Sequence, residues 1–471
     1  MARVSEPAMK PEWLRSEIAV VGLARSGRAA ARLLARAGEQ VYASDASASE
    51  ELEATAGSLR EDQISVELGR HDLDRIAKAS LVVASPGVPP TAPPFVAARA
   101  AGVPVVSEIE IGLRFLPRLN YIAITGTNGK TTTTALTGHL LKSVGRRAST
   151  AGNIGTPLTE LALSPTPPEW VALELSSFQL HDTPSVNPRV GILTNLSANH
   201  LDRYTSVEEY FGDKALMFRN ATAASRWVTN GDDQAVERMT EAVAGIHCRF
   251  SLERHTDAYY DRVNDTLNVL GRPLLQRDRL TLLGDHNVAN ALCAALAVML
   301  ADPAHTSDRE LNMLSQGLAT FSALEHRIET VGEFGGVTWI NDSKSTNVAS
   351  TLVAMRGMTR PTVLLVGGKH KGEPYTDLRE ELKRTGRAVI AYGEAAPLIE
   401  ADLEGAVPLT RLGSSFDEVI NTARQLAHAG DVVLLSPACS SYDMFDNYEH
   451  RGAVFKQLAA AQGTGDGRGR A

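Results

Sequence analysis

Ile122-Ala-Ile-Thr-Gly-Thr-Asn-Gly-Lys-Thr-Thr-Thr133 runs from an apolar strand through a Gly-rich turn into the mouth of a helix. Strand, turn and helix in that order hold a nucleotide triphosphate. Successive backbone N–H groups form an anion nest, and the helix N-terminus adds positive potential. Lys130 is spaced to reach the β- and γ-phosphates and the Thr131 hydroxyl to sit on Mg²⁺. The turn departs from G-x-x-x-x-G-K-[ST], because Ile124 takes the place of the first glycine and Gly126 is the first glycine of the turn.

Around this loop lies a chain of 471 residues, long enough for about three domains. Its net charge of −8, with signs interspersed, argues against a nucleic-acid partner. The N-terminus lacks a charged-then-apolar stretch ending in small residues, so no secretory signal is expected. No apolar run approaches the ~20 residues of a spanning helix, so no membrane partner is expected. Cys248, Cys293 and Cys439 are scattered, which fits a reducing cytoplasm and offers no zinc spacing. Cys439, in a polar loop, reads as an inert thiol.

Three α/β segments follow from the alternation of strands and helices. The first opens with Ile18-Ala-Val-Val-Gly-Leu-Ala-Arg-Ser-Gly27 and an Ala/Leu-rich helix, Arg28–Ala37. A strand ending at Asp45 follows, then Leu81-Val-Val-Ala-Ser-Pro-Gly87. Gly22-x-Ala24-x-x-Gly27 resembles a dinucleotide fingerprint with Ala for the second Gly, and Asp45 stands where an acidic residue would hold a ribose hydroxyl. The nucleotide could be NAD, FAD or a UDP-sugar, and the glycines could instead serve only tight strand–helix packing.

The second segment carries the phosphate loop, the strand Trp170-Val-Ala-Leu-Glu-Leu175, the strand Val190–Asn195 and a helix over Val207–Phe218. Asp285 is the expected N-cap of another helix, running to about Met299. The third begins near Gly332, with strands Val337–Ile340, Thr362–Val366, Ala388–Ala391 and Val432–Leu435, each ending in small or polar residues. Ligands bind beyond the carboxyl ends of strands in open α/β sheets. The tail 462–471 is Gly- and Arg-rich and is expected to be disordered.

Glu174 closes an apolar strand. A buried Glu needs a cation or hydrogen bonds, and beside a phosphate loop Mg²⁺ is the natural cation. His200 reads on its own as a loop or capping histidine, and Lys214 as a solvated helix lysine.

Together these motifs resemble the Mur ligases of peptidoglycan synthesis over nearly the whole chain. The resemblance rests on Thr125–Thr131, Gly152-Asn-Ile-Gly155, Glu174-Leu-Ser-Ser-Phe-Gln179, Asn199-His-Leu-Asp202, His286-Asn-Val-Ala-Asn290, His326-Arg327 and Asn341-Asp-Ser-Lys344. Within the family, Leu435–Phe445 and Glu449-His-Arg-Gly452 are similar to the glutamate-adding branch, and the Asp-Asn-Pro-Arg motif of the diaminopimelate-adding branch is missing.

The resemblance implies three domains. A Rossmann-like domain over 1–118 would take a UDP-linked substrate, a central P-loop mononucleotide-binding domain over 119–331 would take ATP, and a C-terminal Rossmann-like domain over 332–471 would take the amino acid. It implies a cytoplasmic, monomeric ligase that phosphorylates UDP-N-acetylmuramoyl-L-alanine with ATP and joins it to D-glutamate. ATP and two Mg²⁺ ions are the implied cofactors.

Residue by residue, Gly126, Thr127, Asn128, Gly129, Lys130, Thr131 and Thr132 would cradle the phosphates, with Asn290, Arg327 and Asp342 as further nucleotide contacts. Thr131 and Glu174 would hold one metal ion. His200 and Lys214, the latter carrying a carbamate from CO₂, would help hold the second. His326 would lie near the reacting groups. Arg25, Ser26, Asp45 and Gly87 would meet the uridine diphosphate, with Asn153 nearer the muramoyl part. Lys344, Thr346, Lys371, Ser441 and Tyr448 would meet glutamate, whose two carboxylates suit lysines and hydroxyls.

Three positions depart from the branch's pattern: Tyr448 where Phe is usual, Glu325 where Pro is common, and Lys369-His370 where Asp-Gly is often seen. A folylpolyglutamate synthase-like glutamate ligase is the alternative, sharing the ATP domain but lacking a segment like Ile18–Asp45.

Overall fold

The computed structural model describes residues 17–153, 155–198, 204–282, 284–322 and 325–461. The first sheet contains β1 (Ile18–Val21), β2 (Val41–Asp45), β3 (Ser65–Leu68), β4 (Leu81–Ala84) and β5 (Val105–Ser107). Its order is β3-β2-β1-β4-β5, with every pairing parallel. Covered on both faces, β1 is apolar and buried throughout, as a central parallel strand must be. The edge strand β3 escapes sequence reading because its four residues are polar or only half-buried. The helix after β1 spans Arg25–Arg36 and so starts three residues earlier than expected.

The central sheet contains β6 (Asn120–Thr125), β7 (Ala148–Gly152), β8 (Trp170–Glu174), β9 (Val190–Leu193), β10 (Arg226–Asn230), β11 (Ile246–Ser251), β12 (Ala258–Asp261), β13 (Thr266–Val269) and β14 (Arg272–Gln276). Its order is β14-β13-β12-β11-β10-β9-β6-β8-β7, and its last three strands form an antiparallel extension. The helix Asp285–Ala301 is buried almost all round. Its alanines let it lie close against the phosphate-loop helix Lys130–Ser143, which places Asn290 beside the loop. Asp285 does not cap this helix. The cap position is Gly284, with φ +81°, and the Asp285 carboxylate instead pairs with Arg262 at 2.8 Å. The helix expected over Val207–Phe218 is α-helical to Ala215 and then tightens into a 3₁₀ turn.

The third sheet contains β15 (Glu329–Phe334), β16 (Val337–Asn341), β17 (Thr362–Gly367), β18 (Gly386–Tyr392), β19 (Leu409–Arg411) and β20 (Val432–Leu435), in the order β15-β16-β20-β17-β18-β19. Only β15 is antiparallel to its neighbour. The break expected between 331 and 332 falls inside β15, whose pairing with β16 brings the chain into the third sheet by Glu329.

Helix Glu108–Phe115 ties the first sheet to the second, with Ile111 in the core of one and Ile109 in the core of the other. Two buried carboxylates on it reach across. Glu108 accepts from the Thr159 N–H and hydroxyl, both at 2.6 Å, and Glu110 accepts from the Ser185 N–H and hydroxyl at 3.0 and 2.7 Å. Burial pushes the Glu108 carboxyl up to about 7. Among the described residues no helix is long and apolar enough to cross a membrane. The tail 462–471 lies outside the described residues.

Candidate active site

The phosphate loop bends through Gly129 at φ +79°, where a Cβ would stand 2.6 Å from Asn290 Oδ1. Only glycine fits both the conformation and the approach. The helix that follows has no side-chain cap, unlike the helices capped by Ser107, Ser176 or Ser206, so its first-turn N–H groups remain available to an anion. Thr133 donates to Asn290 Oδ1 at 3.1 Å, fixing loop helix and core helix together.

Lys130 Nζ folds back onto the loop carbonyls of Gly126 and Thr127, at 2.8 and 2.7 Å. Lys214, only 1% exposed, donates to the same Gly126 carbonyl at 2.7 Å. The solvated helix lysine read from sequence is therefore a buried amine. Burial, then the charge of Lys130, holds its pKa well below the usual lysine range, and burial lowers Lys130 to about 8. Facing them is Glu174, 1% exposed at the end of β8. Its charge acts on Lys130, Lys214, Arg327 and Lys344. Oε1 accepts from Asn153 Nδ2 at 2.9 Å, while Oε2 is buried with no hydrogen-bond partner among the described residues.

An unpartnered buried carboxylate oxygen suits a hard cation. Mg²⁺ needs only one or two protein oxygens beside phosphates and water, and Thr131 stands in the first turn of the loop helix to supply another. Among the described residues no three His, Cys, Asp or Glu side chains form a metal cage. His200 lies outside the described residues.

A cleft of about 710 Å³ opens between the central and third sheets. Asn128, Gly129, Thr132, Asn290, Arg327 and Asp342 all line it, so the structure gathers these nucleotide candidates around one space. Asp342 is buried and pushed up to about 6. It accepts from the Ser436 hydroxyl at 2.8 Å and the Ile328 N–H at 3.2 Å. His326 enters this junction with φ +63° and Ile328 with φ +46°, a strained non-glycine path. Its imidazole meets Asn341 Nδ2 at 2.9 Å, and burial lowers its pKa.

In the third domain, the loops after β16, β17 and β20 converge. Lys344 donates to the Tyr448 hydroxyl at 2.9 Å and Lys371 to the Thr346 hydroxyl at 3.2 Å, two lysine–hydroxyl pairs at one edge. Burial brings Lys344 down to about 8. Ser441 is buried in the loop after β20. The departures from the branch's pattern have visible partners. Glu325 pairs with Lys456 at 3.2 Å, Lys369 joins Ser440 through both backbone groups, and His370 bonds the Tyr375 hydroxyl at 2.9 Å. That hydroxyl meets Cys439 Sγ at 3.0 Å, and the buried thiol is raised to about 11, hence unreactive.

In the first domain, Asp45 braces its own turn by accepting from the N–H groups of Leu23 and Ser47 at 2.8 and 2.9 Å. A Cβ on Gly27 would stand 1.8 Å from the Gly22 carbonyl, so tight packing is a real function of the fingerprint. Ser26 lies in the first turn of an uncapped helix and Gly87 in the exposed turn after β4. The Arg25 guanidinium is forked onto Glu160 at 2.9 and 3.0 Å and onto the Gly155 carbonyl at 3.1 Å. A cavity of about 300 Å³ separates Ser85, Pro86 and Val88 from Phe178, Gln179 and Asp213.

Three family models match the chain: "Mur ligase MurD-like, N-terminal domain" over 16–107, "Mur ligase middle domain" over 124–298 and "Mur ligase, glutamate ligase domain" over 326–439. The UDP-N-acetylmuramoylalanine--D-glutamate ligase of Acidobacterium capsulatum is 39% identical over 94% of this chain and 96% of its own length. The enzyme of that name from Salinibacter ruber is 39% identical over 95% and 98%.

The chain belongs to the Mur ligase family.

Solved structures share its fold at low identity. The UDP-N-acetylmuramate-alanine ligase of Thermotoga maritima superposes with a TM-score of 0.60 at 19% identity, covering 95% of this chain and 99% of the other. FolC from E. coli, solved with DHPP and ADP, reaches 0.58 at 17% identity, covering 75% and 92%. The Mur ligase fold thus has the expected three-domain, mainly parallel α/β architecture. Sequence reading missed Arg451, the buried Glu108 and Glu110, and the Arg25–Glu160 pairing. Arg451 stood inside a quoted motif, but nothing in its spacing signalled burial.

Proposed function

We propose that this Mur ligase joins D-glutamate to UDP-N-acetylmuramoyl-L-alanine at the expense of ATP, through an acyl phosphate. The observation that carries the reading is the buried Glu174 carboxylate, with its free Oε2, set among Lys130, Lys214, Arg327 and Lys344 from all parts of the ligase core. Such a site brings two anions, a carboxylate and a triphosphate, into contact by concentrating positive charge. The two relatives named for this reaction, each 39% identical over nearly the full chain, support it.

A carboxylate acylates poorly, and phosphorylation turns its oxygen into a leaving group. ATP lies in the cleft along Asn128, Gly129, Thr132 and Asn290, with Arg327 and Asp342 closing the far wall. The loop amides, with Gly126 and Thr127, and Lys130 hold its phosphates. Thr131 and Glu174 would hold Mg²⁺ at one position and His200 and the Lys214 side chain at a second, where the ion would supply positive charge to offset that of the phosphates. Burial favours the neutral form of the Lys214 amine, and that form would add to CO₂ and give up one proton, turning a neutral amine into an anionic oxygen ligand. His326 orients the reacting groups.

The UDP part spans Ser26, Asp45 and Gly87, and the muramoyl part crosses the 300 Å³ cavity toward Lys214. Asn153 works through Glu174. Lys344–Tyr448 and Lys371–Thr346 each face one glutamate carboxylate, with Ser441 between them. Residues 1–118 hold the acceptor, the central segment to about 328 holds ATP, and the rest holds glutamate. The enzyme acts as a cytoplasmic monomer.

A folylpolyglutamate synthase-like activity would leave the first sheet, matched by its own family model, without a purpose. Phosphate release that requires UDP-N-acetylmuramoyl-L-alanine and D-glutamate together supports the proposal. Release driven by a pteroate acceptor instead would overturn it.

A further inference from the structure

We propose that Arg451 is the positioning residue of the amino-acid site: its guanidinium locks the loops after β16, β17 and β20 into one rigid edge. The proposal rests on the glutamate-ligase reading and extends it to a residue that meets no substrate.

Arg451 is 0% exposed, on the first turn of the helix Tyr448–Ala460. Each of its three nitrogens reaches a different set of loop oxygens. Nε donates to the Ser343 hydroxyl at 3.0 Å. Nη2 donates to the Ser343 and Cys439 carbonyls at 2.8 and 3.2 Å. Nη1 donates to the Cys439 and Gly367 carbonyls at 3.2 and 3.4 Å. Five N–H groups in a fixed planar fork therefore bridge the loops after β16 and β20 and the end of β17. Ser343 precedes Lys344, Gly367 leads to Lys371, and Cys439 leads to Ser441. Every proposed glutamate contact hangs from one of these anchors or from the same helical turn.

That turn is itself part of the clamp. The Ser343 hydroxyl donates to the Tyr448 carbonyl at 2.8 Å, and Tyr448 receives Lys344. Gly452 lies so close to His326 that a Cβ would stand 2.2 Å from Nδ1. Among the described residues, no carboxylate forms an ion pair with Arg451. Buried arginines ordinarily find one. Here the charge rests on neutral oxygens of the segments that carry the proposed glutamate contacts. Lysine keeps the charge but projects three donors from one point and cannot span these three segments.

The test compares wild type, Arg451→Lys and Ser343→Ala in steady-state ligation, with KM measured separately for glutamate, ATP and UDP-N-acetylmuramoyl-L-alanine. The rise in melting temperature on adding ADP is measured alongside. Arg451→Lys should raise the glutamate KM at least tenfold and Ser343→Ala about threefold, with the other two KM values within twofold and the ADP shift unchanged. A glutamate KM equal to wild type in a folded Arg451→Lys overturns the proposal. So do three KM values rising together with loss of the ADP shift, the mark of a merely structural residue. If Arg451→Lys does not fold, Ser343→Ala decides by the same criteria. Wild type that ligates no glutamate would instead refute the functional reading.

Discussion

Replacing Asn153 with Ala separates two roles for that residue. The family resemblance assigned it to the muramoyl acceptor, whereas the structure gives its side-chain amide to Glu174 Oε1 at 2.9 Å. Its backbone N–H bonds the Glu174 carbonyl at 3.0 Å and survives the substitution, so the strand end keeps its path. What is lost is one hydrogen bond to a carboxylate whose other oxygen has no partner among the described residues. Bonds to charged groups contribute about 1.5–3 kcal/mol. Asn153 is exposed, so water can take the amide's place, which puts the loss near ~1.5 kcal/mol. At ~1.4 kcal/mol per tenfold, the half-saturating Mg²⁺ concentration should rise about tenfold. The assay is initial-rate phosphate release across a Mg²⁺ titration with all three substrates saturating, and the KM for the UDP-linked substrate should move less than threefold. An unchanged Mg²⁺ requirement, with a tenfold higher KM for the UDP-linked substrate, would show that Asn153 touches the acceptor and does not orient Glu174.

Gly129→Ala places a side chain at φ +79° and against Asn290 Oδ1. It should weaken ADP binding by at least tenfold in calorimetry while costing on the order of 1–2 kcal/mol of stability. ADP affinity within twofold of wild type would contradict the loop assignment. The Glu108 carboxyl is raised to about 7, so between its ordinary value near 4.5 and 7 the folded state binds more protons than the unfolded state. Stability therefore falls as pH rises through that window. Glu108→Gln keeps an acceptor for Thr159 and should be more stable than wild type at pH 8 by on the order of 2–4 kcal/mol, converging with it only below the ordinary value near 4.5. A pH-independent difference in denaturant melts argues against the buried carboxylate. Lys214→Ala should lose ligation and recover part of it with added acetate, and full activity without rescue would remove the carbamate from the account.

The fold was legible where chemistry and backbone coincide. Gly126–Thr131 dictates strand, turn and helix together, and apolar runs such as Ile18–Val21 and Val432–Leu435 can only be buried parallel strands. The strands β3 and β12 to β14 were not legible, because short, half-exposed or hairpin strands carry little periodicity. Asp285 looked like a cap, but Gly284 takes the positive φ and leaves Asp285 to Arg262.

At the site, residue types showed that Glu174 needed a cation, but no local pattern marks Lys214 as buried. That burial arises because the helix Val207–Ala215 delivers it to the Gly126 carbonyl from 88 residues away. Arg25 and Arg451 were illegible for the same reason. Each is defined by partners on other elements, Glu160 for one and Ser343, Gly367 and Cys439 for the other.

Oxygen transfer tests the central claim most directly. UDP-N-acetylmuramoyl-L-alanine labelled with ¹⁸O in both oxygens of its free carboxylate is ligated to D-glutamate with unlabelled ATP and water, and the released phosphate is weighed by mass spectrometry. Passage through an acyl phosphate puts one ¹⁸O in each phosphate and leaves one in the new amide. Unlabelled phosphate would mean that ATP is cleaved by water and that the carboxylate never becomes the phosphoryl acceptor.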